Sequence, residues 1–173
     1  MNSSRSLLVL ASFVAAGAVS RAADYTVTLS DVHLCCSSCV KDAQKAVSSV
    51  TGSSAAADKD AQTVTVTASD EDTAQKAVDA LVGAGFYGKP SDPAIHLIQS
   101  SVPAGTVSSL TVNDVHLCCN GCVKAVNKAV AAVSGVTGTT AAKDADSFQI
   151  TGNFDAKAAI DALNAAGFSA KVN

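Results

Sequence analysis

Alternation of apolar and polar residues opens the folded part of the chain. Tyr25, Val27 and Leu29 point one way while Thr26, Thr28 and Ser30 point the other, the period of a half-buried strand. Val40, Ala43, Val47 and Val50 then fall at helical spacing, and Gly52 supplies a stop. The stretch 53–59 reads as a weak strand, and Val64 and Val66 among threonines read as a stronger one. Ala74, Ala77, Val78, Leu81 and Val82 form the apolar stripe of a second helix, closed by glycines before Phe86. The same order returns further on. Leu110 and Val112 mark a strand, and Val123, Val126, Val130 and Val133 a helix. Phe148 and Ile150 mark another strand, and Ala156, Ala159, Ile160 and Leu163 another helix.

The return is a true internal repeat. Asp31-Val32-His33-Leu34-Cys35-Cys36-Ser37-Ser38-Cys39-Val40-Lys41 comes back as Asp114-Val115-His116-Leu117-Cys118-Cys119-Asn120-Gly121-Cys122-Val123-Lys124. Val50-Thr51-Gly52 matches Val133-Ser134-Gly135, and the Ala-Gly-Phe ending at Phe86 matches the one ending at Phe168. Each copy spans about 65 to 70 residues, a size that folds alone only marginally. Strand, helix, strand, strand, helix, strand predicts an α+β fold. It is two tandem ferredoxin-like βαββαβ units, each an antiparallel sheet with two helices on one face. The expected boundaries are 23–90 for the first unit and 108–173 for the second. Between the units, the stretch from Gly88 to Gly105 holds all three prolines; residues 91–107 read as a linker, whose start is expected to carry the last strand of unit one around Ile95 to Ile98.

Ahead of the first unit, Arg5, the apolar run Leu7 to Val19 and Ser20-Arg21-Ala22 have the layout of a signal peptide spanning 1–22, cut before Ala23. The run is short for a membrane span, so no membrane insertion is expected once the leader is removed. Export to a periplasmic or extracellular space is the expected localisation. Aromatic residues make up only 4% of the chain and its net charge is -3. That combination lacks the basic footprint and stacking rings that nucleic acid demands. Alanine, valine and serine dominate, which favours two thin cores over one thick one.

All six cysteines sit in the two copies of the repeated motif. Cys36 and Cys39, like Cys119 and Cys122, stand three apart where a strand gives way to a helix, so both sulfurs reach one point. The second of each pair lies in the first helical turn, where free amides and the helix dipole favour thiolate. Such a pair suits Cu(I), Zn(II), Cd(II) or Hg(II), and equally suits disulfide exchange. Oxidation in an exported chain makes structural disulfides a third reading. Bridges within one unit would close almost no loop, however, and a Cys35–Cys36 bridge would be strained.

On these residues the chain resembles the heavy-metal-associated domain of copper chaperones, mercury carriers and the amino-terminal modules of metal-pumping ATPases. The resemblance covers nearly all of the chain after the leader, twice over. It implies that Cys36, Cys39, Cys119 and Cys122 are metal ligands and that Phe86 and Phe168 lie near the metal loop. The family motif usually reads Gly-Met-x-Cys-x-x-Cys. Here His33 and His116 replace its glycine, and Leu34 and Leu117 replace its methionine in a packing role. Cys35 and Cys118 occupy the variable position and add a third thiol, suited to trigonal Cu(I) or Hg(II) or to tetrahedral Zn(II) or Cd(II). The expected ligands are therefore Cys35, Cys36, Cys39, Cys118, Cys119 and Cys122, with His33 and His116 as auxiliaries and one soft ion per unit. A single ion sandwiched between the linked units is the other arrangement.

Lys41, Lys45, Lys124 and Lys128 repeat on the first helix of each unit, as a solvated face or as a positive patch that eases thiolate formation. His96 is unrepeated and expected on the surface. No nucleophilic triad, phosphate loop or carboxylate dyad appears, so no enzyme activity is expected. The implied task is carriage, buffering or detoxification of metal ions, with a metal-transporting membrane protein or another carrier as partner. A thiol-disulfide redox protein and a disulfide-stapled interaction module are the alternatives.

Overall fold

The computed structural model describes residues 24–99 and 101–172. The leader expected at 1–22 lies outside the described residues. Unit one runs β1 (Tyr25–Ser30), α1 (Ser37–Ser48), β2 (Ser53–Asp58), β3 (Thr63–Ala68), α2 (Glu71–Gly83) and β4 (Lys89–Pro90). Unit two runs β5 (Thr106–Asn113), α3 (Asn120–Ala131), β6 (Val136–Thr139), β7 (Ser147–Asp155), α4 (Ala156–Ala165) and β8 (Lys171–Val172). Each sheet is antiparallel, in the orders β2-β3-β1-β4 and β6-β7-β5-β8. This is the expected pair of ferredoxin-like units. No helix among the described residues is long and apolar enough to cross a membrane.

The periodicities place the core where they should. Val27 and Leu29 of β1, Val64 and Val66 of β3, and Ala74, Ala77, Val78 and Leu81 of α2 are all fully buried. Fully burying an aliphatic side chain of this size contributes roughly 1.5–3 kcal/mol. On α1 and α3 the stripe differs by one position from the valine spacing. The buried set is Cys39, Ala43 and Val47 on α1, and Cys122, Val126 and Val130 on α3. Val40 and Val123 are half-buried. Val50 and Val133 lie beyond the helix ends at Ser48 and Ala131. A cysteine behaves as a small hydrophobe in such a position.

The last strand of unit one is β4 at Lys89–Pro90, not Ile95–Ile98. It pairs with the end of β1, Leu29 opposite Pro90 and Ser30 opposite Lys89. A two-residue edge strand accommodates proline, which has no N–H to give the ladder. Ile95 is buried in the core instead, and Ile98 stands 62% exposed. The segment after β4 is tied to the unit by side chains. Tyr25 donates to Asp92, Gln75 Nε2 donates to the His96 carbonyl at 2.7 Å, and the His96 amide donates to Gln75 Oε1 at 2.9 Å. The His96 ring is exposed, as expected.

The two units meet along a pseudo-twofold seam. Phe86 and Phe168 form an isolated antiparallel bridge. Around it the Tyr87 amide donates to the Gly167 carbonyl and the Ser169 amide to the Gly85 carbonyl, both at 3.0 Å. Gly85 and Gly167 have φ of +88° and +85°, where L side chains are disfavoured. A Cβ on Gly85 would stand 2.4 Å from the His116 nitrogen, and one on Gly167 would stand 2.3 Å from the His33 nitrogen. Each glycine therefore admits the other unit's backbone.

Candidate metal centre

The loops from β1 to α1 and from β5 to α3 present the thiols. Asp31 and Asp114 turn the chain through left-handed φ values of 60° and 56°, a conformation that aspartate tolerates better than most residues. Each is anchored by the edge strand of its own sheet, Asp31 to Lys89 Nζ at 2.9 Å and Asp114 to Lys171 Nζ at 2.8 Å. Cys36 and Cys119 are the N-cap residues of α1 and α3. Both are extended, at φ -155° and -154°, and neither makes a side-chain capping hydrogen bond. Three residues on, Cys39 and Cys122 are fully buried in the first turn.

All six sulfurs gather at the seam into one cluster. Within unit one, Cys36 and Cys39 lie 3.4 Å apart and Cys35 and Cys39 3.7 Å. Within unit two, Cys119 and Cys122 lie 3.7 Å apart and Cys118 and Cys122 3.8 Å. Across the seam the approaches are as close. Cys35 lies 3.2 Å from Cys119 and 3.5 Å from Cys122, while Cys118 lies 3.8 Å from Cys36 and 3.4 Å from Cys39. Cys39 and Cys122 face each other at 4.0 Å. Of the two expected arrangements, one ion per unit or one shared between the units, the sulfurs leave both open, because every sulfur has close neighbours in the other unit. The physical reason is the bridge at Phe86 and Phe168, which brings the two loops face to face.

The cluster shares its protons unevenly. The Cys122 thiol, against the opposing effect of burial, pulls Cys39 well below the ordinary thiol range, and His116, Cys118 and Cys36 act the same way. Cys122 moves in the opposite direction, raised by the same contact with Cys39 and by burial. The two residues occupy equivalent places and titrate as a pair, a thiolate on one side stabilised by the thiol proton on the other. Cys119 is held down to about 7 by the nearby backbone amide of Cys122, which faces its sulfur without closing a capping hydrogen bond, and by the Cys35 thiol. Burial pushes Cys35 up to about 12 and raises Cys118 as well.

The histidines border the cluster and also clasp the seam. His33 stacks on Phe168, and His116 on Phe86, each with ring centroids 4.4 Å apart. Both imidazole Nε2 atoms are buried without a hydrogen-bond partner among the described residues. Burial lowers the pKa of His33. A His33 nitrogen lies with the sulfurs of Cys35 and Cys122 in a group whose atoms are all within 4.8 Å of one another. His116 Nε2 stands 3.8 Å from the Asp42 carboxylate. Phe86 and Phe168 thus sit at the centre, each against the other unit's histidine. Lys41, Lys45, Lys124 and Lys128 are exposed on the helices that begin there. Asp31 and Asp114 are salt-bridged scaffold residues.

Three further groups of three sulfurs meet the same 4.8 Å limit: Cys35 with Cys36 and Cys119, Cys36 with Cys39 and Cys118, and Cys118 with Cys119 and Cys122. Metal–thiolate bonds of ~2.3 Å place sulfurs about 3.8–4.0 Å apart around one tetrahedral or trigonal ion. The observed separations of 3.2 to 4.0 Å need little movement to reach that geometry. The cluster can therefore hold a soft cation.

No family model matches the chain. No curated protein matches it either. Among solved structures it is similar to the N-terminal soluble domains of Bacillus subtilis CopA, with 12% identity, TM-score 0.33, 88% of this chain and 95% of that one covered. It is also similar to the first two RRM domains of the yeast poly(U)-binding protein Pub1, with 12% identity, TM-score 0.27, and coverage of 86% and 98%. Likenesses this low leave the chemistry of the centre to be read from its own atoms.

Proposed function

We propose that this protein binds soft metal ions at the seam between its two units, and that it carries, buffers or detoxifies them. The observation behind this reading is the convergence of all six sulfurs at 3.2 to 4.0 Å. Thiolate ligands select Cu(I) and Zn(II) among biological ions and also take Cd(II) and Hg(II). The leader-like residues 1–22 fit an exported, periplasmic or secreted carrier, one that exchanges ions with a metal-transporting membrane protein or another carrier rather than catalysing a reaction. The resemblance to the heavy-metal-associated domain points the same way.

One contact favours a second reading. The Cys35 and Cys119 sulfurs at 3.2 Å are close enough for a disulfide to form with small movement, which would suit a redox role. The two readings separate by experiment. Protein purified under reductant is assayed for thiols and for bound metal by mass spectrometry, alongside a Cys36→Ser/Cys119→Ser variant. Metal in the wild type, loss of most of it in the variant, and weaker binding as pH falls are expected, because ligating thiols must be deprotonated. Six free thiols that take up no soft ion at neutral pH would overturn the proposal. Reversible cycling of a Cys35–Cys119 bridge without metal would replace it with the second reading.

A further inference from the structure

The extra cysteine of each motif touches one sulfur of its own unit, Cys39 at 3.7 Å for Cys35 and Cys122 at 3.8 Å for Cys118, but both sulfurs of the opposite pair. Cys36 and Cys119 are extended, so side chains on either side of each peptide point in opposite directions. Cys35 and Cys118 therefore leave the chain in a different direction from Cys36 and Cys119, and their sulfurs reach across the seam. The distances follow this pattern. Cys35 touches both members of the opposite pair, Cys119 at 3.2 Å and Cys122 at 3.5 Å, and those two are 3.7 Å apart. Cys118 touches both Cys36 at 3.8 Å and Cys39 at 3.4 Å, and those two are 3.4 Å apart. Two closed triangles result, with no sulfur in common.

Room for the crossing is built into the fold. Gly121 sits in the first turn of α3, where unit one has Ser38. A Cβ there would lie 3.2 Å from the Cys35 sulfur and 3.3 Å from that of Cys119. Cys35 thus lies over the start of the other unit's helix, in space that a side chain would crowd.

We infer that the centre holds two soft ions per chain in ligand-swapped trigonal sites. One ion is bound by Cys119, Cys122 and Cys35; the other is bound by Cys36, Cys39 and Cys118. Each Cys-x-x-Cys pair receives its third thiolate from the other unit, so neither site is complete until the seam has closed. This deepens the metal-binding reading and rests on it. Three sulfurs per ion favour trigonal Cu(I) and Hg(II) over tetrahedral Zn(II).

The test loads the reduced full chain with two equivalents of ¹⁹⁹Hg(II) and correlates each mercury with the β-protons of its cysteines. The expected result is two mercury signals, one linked to Cys35, Cys119 and Cys122 and the other to Cys36, Cys39 and Cys118. Cys35→Ser should shift the first signal and spare the second; Cys118→Ser should do the reverse. A mercury linked to Cys35, Cys36 and Cys39, to Cys118, Cys119 and Cys122, or to both Cys-x-x-Cys pairs at once would overturn the swap while leaving metal binding intact. A wild-type chain that binds no mercury would overturn both. The wild-type spectrum alone decides the ligand sets, so the outcome does not depend on either variant folding.

Discussion

The two units are near copies where they face each other and diverge where they face away. At the seam the correspondence is close. The left-handed aspartates differ by a few degrees in φ, their lysine bridges by a tenth of an ångström, and the two histidine–phenylalanine stacks share one centroid distance. At the far end of the first helix the units part. In unit one β2 and β3 pair without interruption from Ser53 to Asp58. In unit two β6 is four residues long, and its register with β7 slips between Val136 and Gly138. There Gly135 lies so close to β7 that a Cβ would fall 1.9 Å from the Asn153 carbonyl oxygen. A sheet edge remote from the thiols can bulge without moving them. The loops, glycines and aromatics of the seam cannot change in one unit without displacing the other.

That contrast is most severely tested at its aromatic centre. Phe86 and Phe168 are each 1% exposed. Phe86→Ala and Phe168→Ala should each cost about 3–5 kcal/mol in denaturant unfolding, by loss of buried area and the cavity left behind. Because the seam makes them equivalent, the two costs should agree to within about 1 kcal/mol. A large cost for one and little for the other would mean that one phenylalanine is only a local core residue.

The glycines give the next largest effect and separate seam from unit. Gly85→Ala or Gly167→Ala adds a left-handed backbone penalty of roughly 1–2 kcal/mol and drives a methyl into the other unit's backbone. Either should open the seam, seen as a larger radius of gyration in solution scattering and weaker soft-metal uptake. Gly135→Ala clashes only inside unit two. It should lower that unit's stability and leave the scattering of the folded chain unchanged. If all three behave alike, the seam is not the element that organises the centre.

Much of this was legible in the sequence, because its signals are local. The period of two in Val27 and Leu29 and the 3.6-residue stripe on α2 depend on near neighbours, and both appear in the expected places. The repeated cysteines marked the sulfurs that the structure gathers at the seam. What the sequence could not supply was how the two units sit against each other. The close approach of Gly85 to His116 and of Gly167 to His33 is long-range, and the glycines read equally well as helix stops. The duplicated Ala-Gly-Phe was the available signal, since one fixed triplet after both second helices hints at a shared contact. The β4 strand was misplaced for a related reason. Ile95 and Ile98 look like a strand by hydropathy, but the free edge beside β1 is already filled by Lys89 and Pro90.

The smallest predicted effect contrasts the two helix ends within a unit. Asp70 and Asp155 cap α2 and α4 by accepting from the amides of Thr73 and Ala158, each at 2.8 Å. Cys36 and Cys119 start α1 and α3 without a capping bond. Serine is a strong N-cap and differs from cysteine by one atom. Cys36→Ser should therefore raise the stability of the reduced, metal-free protein by about 0.5–1 kcal/mol while weakening metal binding. The measurement is unfolding in the presence of a chelator, set beside metal uptake. A gain of that sign would show that the thiol at the helix start is kept at a cost to the scaffold, as functional residues commonly are. A loss of stability without metal would mean that the Cys36 sulfur contributes to the apo core through its contacts with Cys39 and Cys118, and that the centre is partly self-supporting before any ion arrives.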